Sequence, residues 1–193
     1  MSRERVEAGL RSGAALFSDA AERFSPLIET LSESIAKRLG EGGRVLACGN
    51  GGSASDAEHV ACELAGRFRL DRPPLDVLAL TTNSSLTTAL ANDYGFDEVF
   101  ARQVRAHGRS GDYLLLFTTS GSSSNVVRAR DAARELSMRT VAFTGERGEA
   151  FAEACNAAFV VPSGDTPRIQ EVHIALAHAL CEEVERCLFG ADA

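Results

Sequence analysis

The chain lacks any apolar run approaching the ~20 residues needed to span a bilayer, and residues 1–10 are charged and polar, unlike a secretory leader. It also lacks an excess of positive charge, with 20 Lys and Arg against 27 Asp and Glu and a net charge of -7. That balance speaks against a general nucleic-acid binder or a membrane-surface protein. No C-x-x-C pair occurs among Cys48, Cys62, Cys155, Cys181 and Cys187. Their odd number and scatter predict reduced, mostly buried thiols in a cytoplasmic protein, with none marked as an activated nucleophile. There is no G-K-[ST], which argues against a P-loop nucleotide site. Internal repeats and low-complexity linkers are absent as well. What is present is 193 residues, 45% hydrophobic and 24% charged, enough for one domain with a sizeable core.

Two helical stretches are predicted to open the chain, at 2–17 and 19–39, separated or kinked near Gly13 and Ser25-Pro26. Gly40, Gly42 and Gly43 then punctuate. Short apolar runs at 45–48, 77–80, 113–118, 140–143 and 158–161 read as strands, with helical patterns at 53–68, 84–92, 97–106 and 125–137 between them. Strands of four to six apolar residues without alternation predict a parallel sheet covered on both faces. The fold class expected is therefore α/β, a doubly wound parallel sheet. A long helix over 167–189 closes the chain, with Thr166 as its N-cap and Pro167 in its first turn. The whole, residues 1–193, is expected to be one domain, with a helical segment at 1–40 and an α/β core at 41–193.

Residues 48–56, Cys-Gly-Asn-Gly-Gly-Ser-Ala-Ser-Asp, lead from a strand through a glycine-rich turn into a helix. Free backbone N–H groups and the positive end of the helix dipole meet there, which makes a cradle for an anion. A tight turn with glycines only for packing is the plainer alternative. A second junction, Thr118-Thr119-Ser120-Gly121-Ser122-Ser123-Ser124-Asn125, follows another apolar run. Its hydroxyls suit a phosphate monoester better than a pyrophosphate. Parallel strands end on one side of a sheet, so both loops are expected to face one crevice. Gly49, Gly51 and Ala54 match G-x-G-x-x-A, but the next strand ends Leu80-Thr81-Thr82 without an acid to hold a ribose.

His59 and Glu63 lie four apart and share a helix face. On the last helix Gln170 and His178 are eight apart, offset by only about 80° around the axis. A Gln and a His in a mostly apolar helix are costly to bury without partners. The four together offer two imidazoles, a carboxylate and an amide oxygen, a set that suits one cation; a solvated helix face is the alternative. His173 falls on a different face, as a supporting or structural group, and His107 reads as a loop residue.

The segments G-N-G-G-S-A-S-D-A-E-H at 49–59, E-L-A-G-R at 63–67, A-N-D-Y-G-F at 91–96, T-T-S-G at 118–121 and R-I-Q-E-V-H at 168–173 together resemble the sugar isomerase (SIS) domain proteins. More narrowly they resemble the phosphoheptose isomerases, in order from about Val45 to Glu185. The resemblance implies a flavodoxin-like sheet and a cytoplasmic homotetramer with active sites lined by more than one subunit. It also implies conversion of sedoheptulose 7-phosphate to D-glycero-D-manno-heptose 7-phosphate through an enediol, a step of heptose biosynthesis within carbohydrate metabolism. Carried over position by position, Asn50, Gly51, Gly52 and Ser53 are implied as the first phosphate loop, Asn92 and Asp93 as a further substrate-contacting pair, and Thr118, Thr119, Ser120 and Ser123 as the second loop. Glu63 and Gln170 are also implied to contact substrate. The implied zinc ligands, one ion per subunit, are His59, Glu63, Gln170 and His178; the implied base is Glu63 and the implied acid His178. Departures are Thr118 for a usual Ser, Ser122 for a common Asn, and an individual segment at 163–167.

Three other functions remain open on sequence. A non-catalytic SIS module would bind a sugar phosphate or a protein such as the replication initiator; the known relative of that kind lacks residues matching Glu63 and His178. Another phosphosugar isomerase, acting on a pentose or hexulose phosphate, is a second. A nucleotide-binding regulator is a third, weakened by the missing ribose acid.

Overall fold

A computed structural model describes residues 2–190; Met1 and residues 191–193, the ends of the expected 1–193 unit, lie outside the described residues. The chain begins with one helix, α1 (Ser2–Gly40), and then alternates: β1 (Val45–Gly49), α2 (Gly52–Ala65), β2 (Val77–Ala79), α3 (Ser84–Tyr94), α4 (Val99–His107), β3 (Tyr113–Phe117), α5 (Ser124–Glu135), β4 (Arg139–Gly145), α6 (Glu149–Glu153), β5 (Ala157–Val161) and α7 (Thr166–Phe189). All strand pairs are parallel, in the order β2-β1-β3-β4-β5. This is the flavodoxin-like order, whose switch point lies between β1 and β3.

Alternation along each strand divides the core. Val45, Ala47, Tyr113, Leu115 and Phe117 face α1, α2 and α7. Leu46, Cys48, Leu114 and Leu116 face the opposite layer, with Val99, Val104, Val126 and Ala129 of α4 and α5. Both faces are covered, so the strands carry almost no polar residue. On the first face Phe24, Phe159, Phe143 and Phe117 form a chain of ring contacts, with centroids 5.5, 4.7 and 4.4 Å apart in turn.

Several local expectations are corrected. The two N-terminal helices are one, 39 residues long. Pro26 and the residue four before it, Glu22, are both exposed. The carbonyl that loses its N–H donor therefore faces water, while Phe24, Ile28, Leu31 and Ile35 continue packing on the other side. Gly13 does not break the helix either: it lies against the Arg168 and Glu171 side chains of α7, whose flexible tips a Cβ would meet at 3.3 and 3.2 Å. Thr166 is the first residue of α7 and Asp165 its cap, with no side-chain capping bond. His107 ends α4. Of the cysteines, all free, only Cys48 and Cys181 are buried; Cys155 is half-buried and Cys62 and Cys187 are exposed.

Candidate active site

The last residues of β1 and β3, Gly49 and Phe117, pair in register, so the turns that follow emerge side by side. A Cβ on Gly49 would stand 2.4 Å from the Ser53 carbonyl and 2.9 Å from that of Phe117. Only glycine lets the first loop turn this tightly against the neighbouring strand. Gly51 caps α2 at φ 58°, in the left-handed region. Ser53, buried, donates its backbone N–H to the Asn50 carbonyl. In the second loop the buried Thr118 accepts the Gly121 N–H at its hydroxyl, Ser120 and Ser122 share a hydroxyl contact of 2.9 Å, and Ser123 caps α5 without using its side chain. Thr119 accepts the Gly145 N–H, which joins this loop to the end of β4.

A pair of amides joins the two loops. Asn50 Nδ2 donates to Asn125 Oδ1 at 2.8 Å, and Asn125 Nδ2 donates back to Asn50 Oδ1 at 2.9 Å. Asn125, 75 residues away in sequence and buried, had no role assigned from sequence. A polar residue at a buried position in a helix's first turn was the available signal.

One turn into α2, Asp56 is buried and its Oδ2 has no partner. Burial pushes its carboxyl up to about 6. A turn further, His59 Nε2 stands 3.3 Å from Glu63 Oε1 and 2.8 Å from Nε2 of His178 on α7. The Phe68 ring stacks on His178, with centroids 5.6 Å apart and planes at 25°. Three atoms bearing lone pairs thus converge on one point. The two ring nitrogens are hydrogen-bonded to each other, with donor and acceptor set by the tautomers. As they stand the groups are hydrogen-bonded rather than ligating, and among the described residues no set of three His, Cys, Asp or Glu side chains is arranged to hold a metal.

Gln170 lies elsewhere in the crevice. Its amide rests on Gly52, where a Cβ would come within 2.6 Å of Nε2. The structure thus brings His59, Glu63 and His178 together and seats Gln170 on the glycine-rich loop after β1. Asn92 and Asp93 are exposed on the last turn of α3 and hydrogen-bond to each other at 2.9 Å; neither bonds to the loops among the described residues. His173 is fully buried against Phe117 and Phe143.

Two strand–turn–helix loops side by side at the switch point, with His59, Glu63 and His178 clustered on the flanking helices, are the arrangement of a SIS-type phosphosugar domain. The family model for the SIS domain matches residues 10–145, and the chain belongs to that family, within its phosphoheptose isomerase branch. It is 51% identical to the phosphoheptose isomerase of Thermodesulfovibrio yellowstonii over 167 residues, 86% of this chain and 83% of that protein. With that of Halorhodospira halophila it shares 47% identity over 192 residues, 98% of this chain and 97% of the relative. The solved phosphoheptose isomerase from Francisella tularensis superposes with a TM-score of 0.92 at 35% identity, covering 96% of this chain and 99% of the other. That from Neisseria gonorrhoeae gives 0.89 at 41%, with the same coverage. The chain is an enzyme, an isomerase. Among the described residues no helix is long and apolar enough to cross a membrane.

Proposed function

We propose that the protein interconverts sedoheptulose 7-phosphate and D-glycero-D-manno-heptose 7-phosphate in the cytoplasm. The observation that carries the reading is the convergence of Glu63, His59 and His178 beside a crevice built for a phosphate. The 7-phosphate would sit between the loops at 50–53 and 118–123, held by backbone N–H groups and the hydroxyls of Ser53, Thr118, Thr119, Ser120 and Ser123. Gln170, over Gly52, would meet the sugar hydroxyls, and Asn92 and Asp93 its far end.

With the phosphate fixed, isomerisation needs one proton moved between C1 and C2. Glu63 removes a proton from C1 while His178 donates one to the C2 carbonyl oxygen, which gives the 1,2-enediol. Glu63 then returns a proton to C2 as the O1 proton leaves to His178, and C1 becomes the aldehyde carbonyl. Each acid–base step contributes typically ~10²–10⁴-fold. His59, in contact with both carriers, fixes their orientation.

We further propose one zinc ion per subunit, held by His59, Glu63, Gln170 and His178. The donor set suits it in kind, and the convergence of lone pairs is what a cation relieves. The Nε2 atoms of His59 and His178 lie 2.8 Å apart, so the two imidazoles present their donor atoms to the same place. When bound, the ion supplies Lewis-acid stabilisation of charge developing on the substrate oxygens, worth several kcal/mol.

The active form in this proposal is a homotetramer with sites at subunit interfaces. Tyr94 and Phe96 beside Asn92 and Asp93, and Val6, Leu10 and Phe17 on the first half of α1, are large apolar side chains left exposed by a single chain. The test of function is to incubate the purified protein with sedoheptulose 7-phosphate, after chelation and with zinc restored, and to follow aldoheptose formation by NMR. Conversion lost on chelation and regained with zinc is expected. Conversion indifferent to chelation removes the metal from the proposal, and no conversion in either sample overturns it in favour of a binding module or another phosphosugar.

A further inference from the structure

Arg72 and Glu185 lie 113 residues apart and form an ion pair of 2.8 Å, with side chains 1% and 2% exposed. Burying two charges is repaid only where every remaining hydrogen-bonding group is satisfied, and an apolar pair of similar volume often stabilises as well or better. Here the satisfaction is extensive. Besides Arg72, Glu185 accepts the main-chain N–H groups of Phe68, Arg69 and Leu70 at 3.0, 2.9 and 3.2 Å. Burial alone would raise the Glu185 carboxyl; the bonds from Arg69, Phe68, Leu70 and Arg72 outweigh it and hold the group below the usual range. Arg72 in turn donates from Nη1 to the carbonyls of Leu64, Gly66 and Pro73 at 2.7, 3.3 and 3.1 Å. From Nη2 it donates to the carbonyl of Glu63 at 2.9 Å.

The carbonyls of Glu63 and Leu64 are among the last of α2, which have no intrahelical partner and carry the negative end of the helix dipole. Arg72 is therefore the C-terminal cap of the helix that bears His59 and Glu63. Glu185 fixes the segment that begins with Phe68, whose ring lies on His178. One ion pair thus holds the backbone of Glu63 and the ring that orients His178.

We infer that the Arg72–Glu185 pair is a positioning device for the reaction, setting Glu63 and His178 in register across α2, the loop after it and α7. The inference rests on the isomerase reading above. Lysine offers its donors from a single nitrogen and cannot reach Glu185 and the carbonyls of Glu63 and Leu64 from the separate positions of the guanidinium fork, so Arg72→Lys and Glu185→Gln weaken the grip while nearly keeping size. In the folded variants with zinc present, kcat is expected to fall about tenfold or more with KM within about threefold, since displacements below an ångström cost this much in oriented catalysis. The ring resonances of His178, followed by NMR without substrate, are expected to move from their wild-type positions. Wild-type kcat together with unmoved His178 resonances would overturn the inference and leave the pair a structural cap. Should neither variant fold, Phe68→Leu, which leaves the ion pair intact, decides: a lower kcat at constant KM supports the inference and an unchanged kcat overturns it. If the wild-type protein itself fails to convert the sugar, the isomerase reading falls; the His178 resonances of the pair variants then decide the positioning alone, moved in its favour or unmoved against it.

Discussion

In the proposed mechanism Glu63 is the base, and among the described residues the polar partner of its side chain is His59. Glu63→Gln keeps the shape and removes the basicity. Turnover is expected to fall by ~10²–10⁴-fold, and a kcat near wild type would remove Glu63 as the base. Asp56, on the same helix, is a carboxyl whose surroundings disfavour its charged form. Its folded pKa of about 6 lies above the ordinary 3.8, so its contribution to stability is complete below pH 4 and lost as the pH rises through 6. At pH 7 the native state bears the cost of a buried carboxylate. Asp56→Asn should then be more stable by about 2 kcal/mol at pH 7 and no different at pH 4, as read from denaturant unfolding at the two pH values.

At the scale of elements, the two glycines of the first loop do different work. Gly49 faces backbone carbonyls on two sides, whereas Gly52 faces the tip of the Gln170 side chain. Gly49→Ala must move the backbone and should cost about 1–3 kcal/mol or more. Gly52→Ala need only displace an amide, so it should fold normally and lose activity. Thermal unfolding beside turnover separates the two, and a Gly52→Ala protein with full activity would detach Gln170 from the site.

The elements also show what can be read from residues in order. Apolar runs without alternation located the five strands to within a few residues, since burial on both faces favours apolar side chains, with Thr140 and Thr144 of β4 the buried exceptions. The i, i+4 spacing of His59 and Glu63 and the placement of His178 brought out three groups that meet in space. Pro26 and Gly13 misled, because a helix packed along one face survives a missing donor on the other. Arg72, Glu185, Phe68 and Asn125 carried no local signal strong enough to notice. Their side-chain partners, Glu185 for Arg72 and Asn50 for Asn125, lie 113 and 75 residues away, and only the folded chain pairs them.

At the scale of the molecule, the first sheet face is closed by an aromatic layer that includes a neutral histidine. Burial of His173 pushes its pKa down from 6.5 to about 4, with the nearby Thr144 main chain offsetting only part of the shift. The unfolded chain gains a proton as the pH falls below 6.5 and the native state does not, so stability declines between pH 6.5 and 4 by up to about 3 kcal/mol from this group. His173→Leu should therefore be less sensitive to acid than wild type, seen as a smaller fall in the urea midpoint between pH 7.5 and 5. Equal falls would show that acid acts elsewhere.

The amide pair that joins the two loops has a consequence for the lifetime of the protein. Asn50 precedes Gly51, the sequence in which an asparagine most readily cyclises onto the next backbone nitrogen and ages to aspartate or isoaspartate. Reaction requires the side-chain carbonyl carbon to swing toward that nitrogen, and Asn125 holds the same amide by two hydrogen bonds. The contact that shapes the crevice thus also slows its decay. Each molecule that escapes the restraint acquires a negative charge on the glycine-rich loop, where the proposed reading seats an anion.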